Sequence, residues 1–290
     1  FSNMKQIIYF LQYIGFIFIY FIYKILPFNL SLKVSSFLFR TFGKFSRANK
    51  TAMNNCKYVF PNLKDEEIQN IIKKSWNNLG ITICELLRIN DIFIRNKIKY
   101  INLENIEDFI KNKKQAIFIS IHQSNWEVLV PGLDRIGINI GGIYRHINNN
   151  FIDKLILNIR QNSLVSKNSF YTPKGKKSAK DIVDAINNSL SIVLLIDQKD
   201  SSGEEVMFFN KKVKTQTGFL KIARKYNLPI IPIQNKRIDN GNIELTFLEP
   251  LYHNNLEIND TQMMEEIHNK IEQWIKEEPS QWFWQHKTFS

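Results

Sequence analysis

The chain begins with a nearly unbroken apolar run. From Ile7 to Tyr23 the only strongly polar side chain is Gln12, and continuing to Phe28 adds just Lys24. That is roughly the 20 residues a helix needs to cross hydrocarbon. The run closes on Tyr23-Lys24-Ile25-Leu26-Pro27 rather than on small residues, so it reads as a retained anchor over residues 5–28, expected to span the membrane, with a buried core helix or a helix lying in the interface as the alternatives, and not as a cleaved signal. Met4 is the expected native start. Lys24, Lys33, Arg40, Lys44, Arg47 and Lys50 follow the run, which by the positive-inside tendency places the bulk of the chain in the cytoplasm. Lys5 alone opposes that orientation.

Beyond Pro27 the periodicity is helical. It predicts helices over Leu30–Phe45, Asn49–Phe60 and Asp65–Ile89, the last with Ile68, Ile71, Ile72, Leu79, Ile83 and Leu86 at three- and four-residue steps. From about Ile98 short β-rich runs alternate with helical segments. Strands are predicted at Ile117–Ile121, Ile138–Tyr144, Ile192–Ile196, Ile230–Ile233 and Ile243–Phe247. Helices are predicted at Glu127–Ile136, Asn150–Gln161, Ser178–Asn188, Thr217–Tyr226 and Thr261–Lys276. Such alternation reads as an α/β fold, a mixed sheet flanked by helices. No internal repeat and no Gly- or Pro-rich linker divides residues 29–290, so one domain follows the anchor.

Composition narrows the partners only slightly. The net charge of +12 attracts anionic lipid, nucleic acid or an acidic protein, but no zinc-finger spacing, helix-turn-helix signal or RNP motif accompanies it, so nucleic-acid binding has charge alone in its favour. Cys56 and Cys84 are the only cysteines and lack metal or disulfide spacing; they read as inert thiols in a reducing compartment.

The chemistry concentrates at the end of the first long strand. Ile117-Phe118-Ile119-Ser120-Ile121 runs into His122, and Glu127 follows five positions later at a helix start. Ligand sites of open α/β sheets lie outside the carboxyl ends of strands. A turn between the two residues is expected to bring the Glu127 carboxylate onto the His122 imidazole. Such a carboxylate fixes the tautomer and offsets the charge gained when the other ring nitrogen takes a proton. By itself one histidine with one acid at this spacing is also compatible with a structural pair.

The stretch His122-Gln123-Ser124-Asn125-Trp126-Glu127 resembles the motif of the lipid A biosynthesis acyltransferases, the lauroyl/myristoyl family, in which histidine is followed after four residues by aspartate or glutamate. Further blocks are similar to the same family in the same order: Tyr144-Arg145-His146-Ile147-Asn148-Asn149, Ile196-Asp197-Gln198-Lys199-Asp200, Val206-Met207-Phe208-Phe209, the segment Thr215–Ile233 with Ala223-Arg224, and Pro279-Ser280-Gln281-Trp282-Phe283-Trp284-Gln285-His286-Lys287. The resemblance covers essentially the whole chain. It departs at His146, where the family often has proline, at Asn210, where glycine usually follows the double phenylalanine, and after Arg160, which lacks a nearby downstream glycine.

The resemblance implies a glycerolipid-acyltransferase-like fold and transfer of an acyl group from acyl carrier protein to a hydroxyl of a lipid A precursor, at the cytoplasmic face of a bacterial inner membrane and with no cofactor or metal. It implies His122 as general base assisted by Glu127, with Asn125, Trp126, Arg145, Asn148, Asp197 and Arg224 contacting substrate. Arg145 suits an acceptor phosphate or the oxyanion. Asp197 and Asp200 alone are thin evidence for a metal. The basic residues Lys174, Lys176, Lys177, Lys211, Lys212 and Lys214 fit lipid phosphates or an acidic carrier as well as a solvated face. Trp282 and Trp284 are expected in the core. His146, His253 and His268 read as surface or packing residues, as does His286 unless its family block gives it a role. The alternatives are an acyltransferase for a glycerophospholipid or another glycolipid, and a non-enzymatic basic membrane scaffold, for which His122→Ala would leave function intact.

Overall fold

The computed structural model describes residues 2–252 and 258–289. His253 lies outside them, as do the side chains of Lys176 and Lys177. The apolar run forms α1 (Ser2–Ile25), of which Met4–Ile25 is long and apolar enough to cross a membrane. The helical segment that follows forms α2 (Phe28–Phe42), α3 (Arg47–Val59), α4 (Asp65–Leu87) and the short α5 (Ile89–Ile94). Asp65, Glu66 and Glu67 occupy the first turn of α4, and the Glu67 side chain accepts from the Lys64 backbone N–H at 2.9 Å, so charge and capping both favour a start there. Its buried face, Ile68, Ile72 and Trp76, meets the main core. Helices α2 and α4 cross in close contact. A Cβ on Gly80 would stand 2.8 Å from the Ser35 carbonyl oxygen, and the Ser35 hydroxyl donates to the Gly80 carbonyl at 2.6 Å.

The remainder alternates: β1 (Ile98–Ile101), α6 (Glu107–Lys111), β2 (Ile117–Ser120), α7 (Leu129–Arg135), β3 (Ile140–Tyr144), α8 (Asn150–Gln161), β4 (Phe170–Pro173), α9 (Lys176–Asn187), β5 (Ser191–Leu195), β6 (Glu204–Phe208), β7 (Lys211–Thr215), α10 (Gly218–Tyr226), β8 (Ile230–Arg237), β9 (Ile243–Phe247) and α11 (Asp260–Glu277). Seven strands form one sheet in the order β1-β9-β8-β2-β5-β3-β4, parallel except for the β8–β9 pair. β2 lies at its centre and all four of its residues are buried, as expected for a strand covered by helices on both faces. One face packs Ile117, Ile119, Ile192, Leu194 and Ile230 against α9, α10 and α11; the other packs Phe118, Val193 and Ile231 against α7.

The fold is therefore the mixed α/β sheet that the alternation predicts. What the pattern misses are short or polar strands. β1 and β4 are four-residue edge strands, and β7 is a lysine-rich partner that pairs with β6 in a separate antiparallel hairpin. The turn of that hairpin places Phe209 and Asn210 at φ 50° and 58°. This turn suits glycine or asparagine, which accounts for Asn210 where the resemblance leads one to expect glycine.

Candidate active site

His122 follows the carboxyl end of β2, and Asp197 stands two residues beyond the end of the neighbouring β5. The parallel pairing brings them together. The Asp197 Oδ1 accepts from the His122 Nδ1–H at 2.7 Å, and Oδ2 accepts from the His122 backbone N–H at 3.0 Å and from Trp282 Nε1–H at 2.8 Å. Burial alone would raise the Asp197 carboxyl. The neighbouring imidazole and these three donors outweigh burial and lower its pKa below the ordinary carboxylate value. With the Nδ1 proton engaged by Asp197, Nε2 presents its lone pair, and the Gln198 amide nitrogen donates to it at 3.2 Å. Trp126 and Phe283 flank the ring, with centroids 5.2 and 6.2 Å away.

The expectation that Glu127 lies on the imidazole is corrected. Asn125 caps the single 3₁₀ turn Trp126–Val128, its side chain accepting from the Glu127 N–H at 3.0 Å, and this turn directs the Glu127 carboxylate toward α8. There Arg160 grips it through two bonds of 2.8 and 2.7 Å, and Trp126 Nε1–H donates to it at 3.1 Å. Both partners of the ion pair are nearly buried. Burial would lower the Arg160 pKa, but the Glu127 charge reverses the direction and raises it. The guanidinium also lies over the Tyr144 ring at 5.4 Å.

The remaining expected contacts divide. The Trp126 ring lies against both His122 and Phe283, the latter at 5.7 Å. Asn125 is fully buried, its side chain shared between the Glu127 N–H and Glu85 Oε2 at 2.8 Å, so its amide positions the loop and does not face a substrate. Arg145 is exposed and within electrostatic reach of His286, and Asn148 is exposed in the same loop. Arg224 is bound to Asp260 at 2.7 Å. That is 14 residues, roughly 20 Å of helix, from Trp274 on α11, whose carbonyl the Gln123 side chain reaches at 3.1 Å. Asp200 is paired with Lys174 at 2.8 Å. Although burial raises it, the Lys174 and Ser202 donors bring its carboxyl down to about 2.

Several participants escape sequence reading. Arg160 carried no partner signal, since Glu127 lies 33 residues away. Gln198 stood beside an expected residue. The C-terminal block enters through backbone pairing: Phe283 N–H donates to the His122 carbonyl and Ser124 N–H to the Gln281 carbonyl, both at 2.9 Å. This brings in Trp282, which is in the core as expected yet also holds Asp197. Among the described residues His286 Nδ1 is buried without a partner, and burial lowers this imidazole to about 4. The readings of His146 and His268 gain detail: His146 Nδ1 meets Asp153 at 2.6 Å, and buried His268 donates to the Met207 carbonyl at 2.8 Å.

A histidine held at one ring nitrogen by a buried carboxylate, with the other ring nitrogen available as a base, is suited to removing a proton from a hydroxyl. One comparison with known proteins agrees with that class of chemistry. The family described as "Bacterial lipid A biosynthesis acyltransferase" matches residues 2–290. Among solved structures, the chain is similar to the 1-acyl-sn-glycerophosphate (LPA) acyltransferase PlsC from Thermotoga maritima, at 15% identity and a TM-score of 0.42, over 86% of this chain and 97% of that one. None of the curated proteins compared with the chain matches it.

Proposed function

Because the chain belongs to the bacterial lipid A biosynthesis acyltransferase family, we propose that it transfers a fatty acyl group from an acyl carrier protein thioester to a hydroxyl of a lipid A precursor, at the cytoplasmic face of a bacterial inner membrane. The observation that supports this reading is the His122 geometry, with Nδ1–H on Asp197, Nε2 met only by the Gln198 amide among the described residues, and the Trp126 and Phe283 rings beside the imidazole. The acceptor hydroxyl replaces the Gln198 amide on Nε2. As its oxygen attacks the thioester carbonyl, the hydroxyl proton passes to Nε2, and Asp197 stabilises the imidazolium. The tetrahedral intermediate then expels the carrier thiolate, which takes the proton back from Nε2 and leaves the new ester on the acceptor. No covalent enzyme intermediate is involved. General-base assistance of this kind contributes about 10²- to 10⁴-fold.

In this reading Asp197 takes the orienting role expected of Glu127. Glu127 acts with Arg160 by fixing Trp126, and Arg145 at the rim supplies positive charge for an acceptor phosphate. The test is transfer of radiolabelled acyl groups from acyl carrier protein to a lipid A precursor in membranes, native chain against His122→Ala. Transfer that collapses in a variant with unchanged thermal stability supports the reading. Undiminished transfer by the variant removes His122 as base, and transfer only to a lysoglycerophospholipid overturns the acceptor.

A further inference from the structure

Helix α1 has the apolar length of a membrane span, but its surroundings argue for another placement. Ile7, Leu11, Ile14, Phe18, Phe21 and Ile25 recur at steps of three and four and are all exposed, the centre of a broad apolar face that Met4, Ile8, Phe10 and Ile19 widen. Another face of α1 rests on the catalytic domain. The Asn149 side chain, which also caps α8, donates to the Tyr9 carbonyl at 2.8 Å and to Gln12 Oε1 at 3.1 Å. Phe151 lies 5.8 Å from the rings of both Phe10 and Tyr13. Phe16, Tyr20 and Tyr23 pack with Ile152, Ile156 and Ile159 of α8. At the far end the Arg88 guanidinium donates to the Tyr23 and Leu26 carbonyls at 2.8 and 2.7 Å.

These contacts run from Tyr9 to Leu26, about 25 Å of helix at ~1.5 Å per residue, against a hydrocarbon thickness of about 30 Å. A perpendicular α1 would therefore take the start of α8 into the bilayer with it. The exposed polar groups there and in the preceding loop include Arg145, His146, Asn148, Asn150 and Lys154, with Ile147 the exposed apolar side chain among them. Charged side chains in hydrocarbon are strongly disfavoured unless paired or in a water-filled cavity. The cations of α1 lie at its two ends. Lys5 lies over the Tyr9 ring at 5.4 Å and Lys24 over the Tyr20 ring at 5.6 Å, so both ends of the helix carry a basic group beside an aromatic ring, the pairing found at membrane–water boundaries. Past Pro27 the exposed side of α2 continues the mixture with Leu30, Phe37 and Phe42 beside Lys33 and Arg40.

Building on the membrane-anchored reading, we propose that α1 lies in the plane of the interface. Its apolar face dips into the acyl chains of an anionic bilayer, α8 stays docked on its other side, and both its ends remain on the side of the catalytic domain. This placement also removes the conflict that Lys5 poses for a crossing helix. A helix lying in the interface buries its apolar face about 5–10 Å deep, and the cations of α1 and α2 supply attraction to anionic lipid.

The test uses the full chain with Lys5→Cys in bacterial spheroplasts and a membrane-impermeant maleimide. The native Cys56 and Cys84 are completely buried and do not compete. Lys167→Cys, at an exposed position of the catalytic domain, reports the side on which that domain lies. The expected result is that both variants react only after permeabilisation. Reaction of Lys5→Cys in intact spheroplasts while Lys167→Cys stays silent would overturn the proposal in favour of a span. In vesicles of phosphatidylethanolamine and phosphatidylglycerol, nitroxides attached through Ile7→Cys, Ile14→Cys and Phe21→Cys are expected at one common depth. A gradient with Ile14 deepest would overturn it. Nitroxides that all remain in water would remove the membrane surface altogether, an outcome that acyl transfer to detergent-solubilised acceptor tells apart from loss of the catalytic reading.

Discussion

Asp197→Asn keeps the shape of the side chain and removes its charge, and the structure dictates how the replacement must fail. Three donors converge on the native carboxylate: the ring Nδ1–H, the backbone N–H of His122 and the indole N–H of Trp282, at 2.7, 3.0 and 2.8 Å. An amide has one acceptor atom. If its oxygen faces His122 N–H and Trp282, its NH₂ faces Nδ1, and the ring must move its proton to Nε2, the atom that has to act as base. If the oxygen faces Nδ1 instead, two buried donors confront an NH₂ group, at a cost of about 1–3 kcal/mol for each one left unpaired. The first arrangement keeps all three contacts and is favoured, so the wrong tautomer dominates. A loss of about 10²- to 10⁴-fold in kcat follows, by analogy with the same substitution in a Ser-His-Asp triad, or about 3–5 kcal/mol of barrier. The KM for acceptor is expected to stay nearly constant. The assay is initial-rate acyl transfer at saturating acceptor, with thermal melting as a check on folding. A kcat within about threefold of native in a fully folded variant would refute the tautomer argument.

Glu127→Ala leaves the nearly buried Arg160 guanidinium uncompensated and is expected to cost about 3–5 kcal/mol of stability. Combining it with Arg160→Met should recover most of that loss in urea unfolding; a double variant no more stable than the single would show that the charge imbalance is not the cause. His268, lowered to about 4 mainly by burial, favours the folded state in its neutral form. Its contribution is complete above the unfolded value near 6.5 and is lost as pH falls toward 4, up to about 3 kcal/mol. The urea midpoint should therefore fall between pH 7.5 and 5, with a smaller fall in His268→Asn. Gly80→Ala inserts a Cβ 2.8 Å from the Ser35 carbonyl oxygen and should lower stability by about 1–3 kcal/mol; an unchanged melting temperature would mean that α2 shifts freely on α4.

The legible parts of the fold were those in which one face is buried over several turns or a whole strand. The period of α4 and the uninterrupted apolar run of β2 carry their assignments unaided, and α8 begins and ends where the pattern places it, at Asn150 and Gln161. β7 was not legible, because Lys211, Lys212 and Lys214 point to solvent and leave only Val213 and Thr215 inward. At the site, His122 stood out by its place after a strand. Its partner did not, because Asp197 is 75 residues away and reaches His122 only through the β2–β5 pairing. The nearer acid, Glu127, made the more obvious partner on the sequence, but spacing along a chain does not say which way a capped turn will aim a side chain.

That misdirection follows from how the His122 loop is held. Ser124 sits at φ 54°, a conformation that costs a non-glycine residue free energy and persists only where its surroundings enforce it. The enforcement comes from three directions. From α4, Thr82 and Asn78 donate to the Ser124 carbonyl at 2.7 and 3.2 Å. From β8, Asn235 donates to the Asn125 carbonyl at 2.6 Å, while Arg237 bonds twice to Glu85, which in turn holds the Asn125 amide. From the C-terminal block, Gln281 and Phe283 pair with Ser124 and His122. A polar network this buried is no bargain in stability, since well-packed apolar residues often do as well. What it supplies is position: hydrogen bonds of fixed direction leave the loop a single arrangement, and that arrangement carries His122 onto Asp197 and turns Glu127 away to Arg160. Catalytic geometry generally requires this kind of support from rigid elements behind the reacting groups. Here it comes from residues as far apart in the chain as Asn78 and Phe283.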